Sequence, residues 1–133
     1  AKTLGLKQAH FVGPSGLEVD NQASLEDVIG LAQIIFGKKE VQAATSQPQG
    51  TINAQSAGIS KIISFDNTDK LIDESLTVIA GKTGTLDQAG FSVAALVSQT
   101  GTRPVLVIIL GAKDHFARFA EARNLAEWAW KNY

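Results

Sequence analysis

A lysine, two threonines and a glycine stand together at Lys82-Thr83-Gly84-Thr85, a set of groups suited to holding an anion beside exposed backbone. Lys82 brings a positive charge that attracts a carboxylate and favours deprotonation of a nearby serine or lysine. The hydroxyls of Thr83 and Thr85 can donate to the same carboxylate. Gly84 has no Cβ, so a second backbone can approach closely. Elsewhere the reactive side chains are scattered. His10 and His115 lie far apart without companion ligands, so no metal site is expected, and His115 is expected to be exposed at a helix start. Asp66, Asp69, Asp73 and Glu74 cluster without EF-hand spacing and read as a solvated loop. Trp128 and Trp130 read as packing on an amphipathic helix, and Ser24 as a helix cap rather than a nucleophile.

The elements that must position the tetrapeptide follow from hydrophobic spacing. Ala1 to Leu6 reads as the tail of a helix ended by Gly5. The dense turn signal Gly13-Pro14-Ser15-Gly16 makes His10 to Val19 a loop. Behind Ser24, with Glu26 and Asp27 in the first turn, Leu25, Val28, Ile29, Ala32, Ile35 and Phe36 recur at helical spacing up to Gly37. A weaker helix is predicted over Lys38 to Ala44, broken by Gln47 to Gly50. Thr51 to Gly58 and Ile59 to Phe65 read as modest strands, and Asn67 to Glu74 as loop. Val78 to Lys82 is predicted to lead into a glycine-rich turn at Gly81 to Gly84.

The C-terminal third has a clearer pattern. Phe91, Val93, Ala95 and Val97 alternate as in a half-buried strand, and Thr100-Gly101 supplies a turn. Val105 to Leu110 is continuously apolar, as in a central strand buried on both faces. Asp114 can cap a last helix with a stripe of Phe119, Ala122, Ala126, Ala129 and Tyr133. The fold class is therefore α+β, an antiparallel sheet packed against helices, because strands joined by tight turns cannot be parallel.

Bulk properties bound the function. At 133 residues the chain is one domain. Its net charge of −1 gives no field that would attract nucleic acid. The absence of cysteine excludes disulfides and thiolate chemistry. The longest apolar run, Val105 to Leu110, is far shorter than the roughly 20 residues that span a bilayer. Without methionine and starting at Ala1, the chain is expected to derive from a longer precursor whose signal peptide has been removed.

Two motif readings compete for Gly81-Lys82-Thr83. A phosphate-binding P-loop needs a glycine where the chain has Leu76, and a helix afterwards where a strand is predicted. That reading fails. The alternative is the Lys-Thr-Gly motif of penicillin-recognising serine enzymes. The likeness runs along the whole chain: Leu4-Gly5-Leu6 with His10-Phe11, Gly13-Pro14-Ser15-Gly16-Leu17, Ser24-Leu25-Glu26-Asp27, Asn67-Thr68-Asp69-Lys70-Leu71, Gly81 to Gly90, Leu110-Gly111-Ala112, and Arg118 to Ala122. In these stretches the chain resembles the low-molecular-mass serine-type D-alanyl-D-alanine carboxypeptidases, with Asp69 where that family has asparagine.

The resemblance implies residues 1–133 are the C-terminal portion of a β-lactamase/transpeptidase-like catalytic domain. It implies that Lys82, Thr83, Gly84 and Thr85 bind a peptidoglycan stem peptide ending in D-Ala-D-Ala as an added strand. Lys82 and Thr85 would be catalytic, the Thr85 N–H forming half of the oxyanion hole, and Arg118 would help hold the substrate carboxylate. No metal or organic cofactor is implied, β-lactams are expected to acylate the complete enzyme, and its site of action is expected to be periplasmic or extracytoplasmic. No serine here is followed by lysine three places on or by asparagine two places on, so the family's Ser-x-x-Lys and Ser-x-Asn motifs are absent. The nucleophile must then come from an N-terminal segment of the same enzyme. Two other functions stay open: a non-catalytic penicillin-binding or sensor module, and a β-lactamase.

Overall fold

The computed structural model describes residues 1–72 and 76–133. A 3₁₀ turn, Lys2–Leu4, is followed by α1 (Leu25–Phe36), α2 (Lys39–Thr45), β1 (Gln49–Ser56), β2 (Ile59–Asp66), β3 (Thr77–Leu86), β4 (Gly90–Ser98), β5 (Val105–Ala112) and α3 (Ala117–Asn132). The expected α+β class is what forms. β1 and β2 make a hairpin, and β3, β4 and β5 a second antiparallel sheet in that order.

Local chemistry explains most boundaries. The Ser24 hydroxyl accepts the Asp27 N–H at 3.1 Å and starts α1. Asp27 then serves two elements at once: its carboxylate accepts the N–H groups of Lys7 and Gln8 at 2.8 and 2.7 Å, tying the N-terminal segment to α1. Asp114 Oδ1 accepts the N–H groups of Phe116 and Ala117 in the turn that leads into α3, but the N-cap position itself is Phe116, which has no side-chain cap, so Asp114 is not the cap that was expected. Gly90, at φ 69°, turns the chain into β4 where a Cβ would meet the Ala112 carbonyl at 3.1 Å, so glycine is required there.

The sheet has two packed faces. Val93, Ala95 and Val97 of β4 bury against Phe119, Ala122 and Ala126 of α3, with Leu71, Val78 and Val107. On the other face Ala80, Ala94, Leu96 and Leu106 meet Ala32 and Phe36 of α1. α3 thus lies across β4 and β5. Among the described residues, no helix is long and apolar enough to cross a membrane.

Several expectations are corrected. The segment Gly81 to Gly84 is no turn but the middle of β3, paired residue for residue with β4; the reversal comes later, over residues 87–89. Val105 to Leu110 is neither central nor buried on both faces: β5 is an outer strand among the described residues, and of this run only Val107 is fully covered. Tyr133 leaves the α3 stripe and is exposed, while Arg118 joins the buried set. Asp69 is not solvated but buried; Asp73 and Glu74 of the same acidic cluster lie outside the described residues. His115 is half-buried, with its ring edge-on to Phe91, Phe116 and Phe119. Trp130 packs against the core and donates to the Arg103 carbonyl, whereas Trp128 is 52% exposed.

Candidate active site

β3 carries every residue of the tetrapeptide, and its pairing with β4 decides which way each one points. Gly81, Thr83 and Thr85 lie opposite Ala95, Val93 and Phe91. Val93 and Ala95 form the α3-facing core, so these three β3 positions share the α3 side. Lys82 and Gly84, opposite Ala94 and Ser92, alternate to the α1 side. Lys82, Gly84 and Thr85 are exposed, and Thr83 is half-buried.

The outer border of β3 has no strand partner among the described residues. Its first part is covered by α2: the Gly81 N–H points outward and donates to Thr45 Oγ1 at 3.2 Å. Backbone direction alternates along an antiparallel strand, so the N–H groups of Thr83 and Thr85 point outward too. Beyond Thr45 that border opens into a groove of about 230 Å³ between the end of α2, the end of β2 and Lys82-Thr83. A larger hollow of about 660 Å³ lies between α2 and the start of β3 but touches none of the tetrapeptide. A Cβ on Gly84 would meet nothing within 4 Å, so the surface above it is open.

Each threonine is held by a neighbour. Thr83 Oγ1 lies 2.7 Å from Thr68 Oγ1. Arg118 reaches from α3 and donates through Nη1 to the Gly84 carbonyl at 3.0 Å, to Thr85 Oγ1 at 3.2 Å and to the Ser92 carbonyl at 3.4 Å. Its Nη2 meets His115 Nδ1 at 2.9 Å, which makes that nitrogen the acceptor. The guanidinium carbon stands 4.6 Å from the Phe119 ring centroid and 5.6 Å from that of Phe91. Burial lowers the Arg118 pKa from its ordinary value, and the Asp69 charge works against that shift. The Lys82 ammonium donates to the Thr83 carbonyl.

Two groups emerge that the sequence reading did not single out as part of the site, Thr68 and Asp69. They sit on a loop pinned by Asn67, whose Nδ2 donates to the carbonyls of Thr45 and Gln47 and whose Oδ1 accepts the Asp69 N–H, all at 2.9 Å. The signal was available as the polar alternation Asn67-Thr68-Asp69, which favours side-chain to backbone turns. Among the described residues, no group of three or more His, Cys, Asp or Glu is placed to hold a metal ion.

The sequence model of the D-alanyl-D-alanine carboxypeptidases, peptidase family S11, matches residues 1–114. The chain belongs to this family. It is 31% identical to the D-alanyl-D-alanine carboxypeptidase DacD of Escherichia coli, an alignment covering 100% of this chain and 33% of DacD. DacA of Haemophilus influenzae is 29% identical over 98% of this chain and 32% of its own length. Among solved structures, the Streptomyces K15 DD-transpeptidase superposes with a TM-score of 0.88 at 19% identity, over 98% of this chain and 50% of that one. Penicillin-binding protein D2 of Listeria monocytogenes, solved with cefotaxime bound, has a TM-score of 0.72 at 28% identity, over 95% and 50%. The chain therefore spans about a third of the length of the curated relatives and half of the solved chains. Its fold is that of the penicillin-binding transpeptidases and carboxypeptidases.

Proposed function

We propose that this chain is the substrate-strand portion of a serine-type D-Ala-D-Ala carboxypeptidase that removes the terminal D-Ala of peptidoglycan stem peptides. The observation that carries this reading is the open border of β3 at Gly84-Thr85, with Lys82 beside it and outward N–H groups at Thr83 and Thr85. A peptide laid along that border gains main-chain hydrogen bonds, and Gly84 lets it come close. Its terminal carboxylate meets the Lys82 charge and the Thr83 and Thr85 hydroxyls. Arg118 acts from beneath: by donating to Thr85 Oγ1 it leaves the Thr85 O–H free to donate to the carboxylate, and linked donors of this kind strengthen one another.

The chemistry itself needs a serine supplied by a segment outside this chain. That serine attacks the scissile carbonyl, the Thr85 N–H stabilises the oxyanion, the terminal D-Ala leaves, and water releases the acyl-serine. β-Lactams would acylate the same serine without rapid release. The reaction would take place outside the cytoplasmic membrane, where peptidoglycan lies.

Intact-mass analysis after exposure to a labelled penicillin tests the reading. The chain alone should gain no adduct, and the chain joined to a segment carrying Ser-x-x-Lys should gain one of long life. A defined adduct on the 133-residue chain alone would overturn it. Rapid turnover by the joined form would point to a β-lactamase, and binding without any adduct to a sensor module.

A further inference from the structure

Arg118 is 2% exposed, and its guanidinium is held on several sides behind the substrate strand. Nη1 serves the strands, donating to the Gly84 carbonyl, Thr85 Oγ1 and the Ser92 carbonyl. The rings of Phe119 and Phe91 pack against the guanidinium carbon. Nη2 has one acceptor among the described residues, His115 Nδ1 at 2.9 Å. Arginine offers only donors, so this contact requires a lone pair on Nδ1 and puts the imidazole proton on Nε2. The imidazole is therefore neutral in this arrangement. A second proton, on Nδ1, would set N–H against N–H and cation against cation.

The ring that supplies this acceptor is itself fixed. It stands edge-on to Phe116, Phe119 and Phe91, with centroid separations of 5.2, 5.4 and 6.4 Å, the arrangement that ring quadrupoles favour. Phe91 closes the circuit, because it pairs with Thr85 across β3 and β4 and its ring also meets the guanidinium. Thr85, Arg118, His115 and Phe91 thus form one closed set of contacts, with Thr85 as its exposed member. Packing alone would be met by a phenylalanine at position 115, which has no acceptor for Nη2. Without that acceptor a buried donor loses its partner, and nothing on that side sets the direction of the fork.

We propose that His115 is a positioning residue for the substrate strand: its neutral imidazole, accepting from Arg118 Nη2, orients the guanidinium so that Nη1 holds the Gly84 carbonyl and the Thr85 hydroxyl. Protonation of His115 removes the acceptor, so substrate binding weakens in acid. This rests on the proposed function only for what Thr85 binds. The hold of His115 on Arg118 stands or falls separately. The charged groups facing the imidazole are Arg118 from α3 and Asp114 with Lys113 from the turn leading into α3, while β4 faces it with the Phe91 ring. Asp69, from the loop after β2, acts on the guanidinium through its charge.

The test uses the serine-bearing enzyme, this chain joined to its Ser-x-x-Lys segment, with ¹⁵N-labelled histidine, arginine and threonine. At neutral pH the His115 Nδ1 signal should be that of an unprotonated, hydrogen-bonded nitrogen. On acidification the Arg118 side-chain and Thr85 amide signals should move at the midpoint of the His115 titration. His115→Phe keeps a ring without the acceptor, and should raise KM for a D-Ala-D-Ala peptide about tenfold with kcat little changed. His115→Asn keeps an acceptor near the place of Nδ1 and does not titrate. It should restore most of the binding and abolish the rise of KM in acid. A proton on Nδ1 at neutral pH, an unchanged KM in His115→Phe, or an acid rise that survives His115→Asn overturns the proposal. If either variant does not fold, the parent enzyme decides, and the lack of a shared midpoint rejects the idea. Should the enzyme ignore D-Ala-D-Ala peptides, the proposed function fails, while the Thr85 amide still reports whether His115 sets that residue.

Discussion

Arg118 Nη1 lies 3.0 Å from the Gly84 carbonyl and 3.2 Å from Thr85 Oγ1, so a helix residue fixes both the backbone and the hydroxyl near the C-terminal end of β3. Because Arg118 is buried and Thr85 is exposed, the hydroxyl is the group through which Arg118 can reach a ligand laid along the open border of β3. Thr85→Val removes the hydroxyl at nearly constant volume and leaves Nη1 with the two carbonyls. In the serine-bearing enzyme this should weaken binding of a D-Ala-D-Ala peptide about tenfold, the effect of losing one hydrogen bond to a charged group. Thr85→Ser should restore most of it. Unchanged KM in Thr85→Val, measured beside a normal unfolding curve, would remove the hydroxyl from the binding site.

Gly81 and Gly84 look alike in the sequence and should answer oppositely to the same substitution. A Cβ at Gly81 collides with Asp69 Oδ2, whereas one at Gly84 meets nothing within 4 Å. Gly81→Ala should cost about 1–3 kcal/mol of stability, as overpacking does, and pairing it with Asp69→Ala should recover part of that. Gly84→Ala should leave stability within about 0.5 kcal/mol but obstruct the peptide backbone. Urea titrations together with peptide binding separate the two. A Gly84→Ala variant that binds as before would mean the peptide does not pass over that residue.

This pair also shows why part of the architecture was legible and part was not. α1 could be read from Ser24 and the helical spacing of its apolar residues, and β4 from the alternation of Phe91, Val93, Ala95 and Val97. Those elements carry their reasons within their own few residues. The string Gly81 to Gly84 has low strand preference and reads as a turn; pairing with β4 over the full length of β3 overrides it. The family motifs led to Lys82, Thr83, Gly84, Thr85 and Arg118. An acidic loop reads as solvent-facing, but Asp69 is buried in the space that Gly81 leaves on β3, and Gly81 is no neighbour in sequence.

Lys82 is exposed, and its attraction for a terminal carboxylate is therefore open to screening. Lys82→Gln keeps the length of the stem and removes the charge. In the serine-bearing enzyme the variant should be acylated by penicillin about 10²–10³ times more slowly, the scale of losing one preorganised electrostatic donor. The salt dependence supplies a second check: added salt should slow the parent enzyme more than the variant. Equal salt sensitivity in both would assign the electrostatic attraction to other charges.

Asp27 and Asp69, the two buried carboxylates among the described residues, should give opposite pH dependences of stability. Burial works against the ionised form of Asp27, but the N–H groups of Lys7 and Gln8 and the Ser24 hydroxyl outweigh it and hold its pKa below the ordinary value. Its stabilisation is thus complete above the unfolded-state pKa of about 3.9 and is lost as pH falls through the lower folded value. For Asp69 burial prevails and the folded pKa is raised, so the native state binds more protons between the two values. Stability then falls as pH rises from about 3.9 through the folded pKa. At neutral pH Asp27→Asn should therefore be less stable than the parent chain, and Asp69→Asn more stable; both should converge on the parent in acid. Denaturant titrations of the three proteins from about pH 3 to about pH 8 check both signs at once. If Asp69→Asn proved less stable than the parent at neutral pH, the Arg118 attraction would outweigh the desolvation of Asp69, and the raised pKa would be wrong in sign.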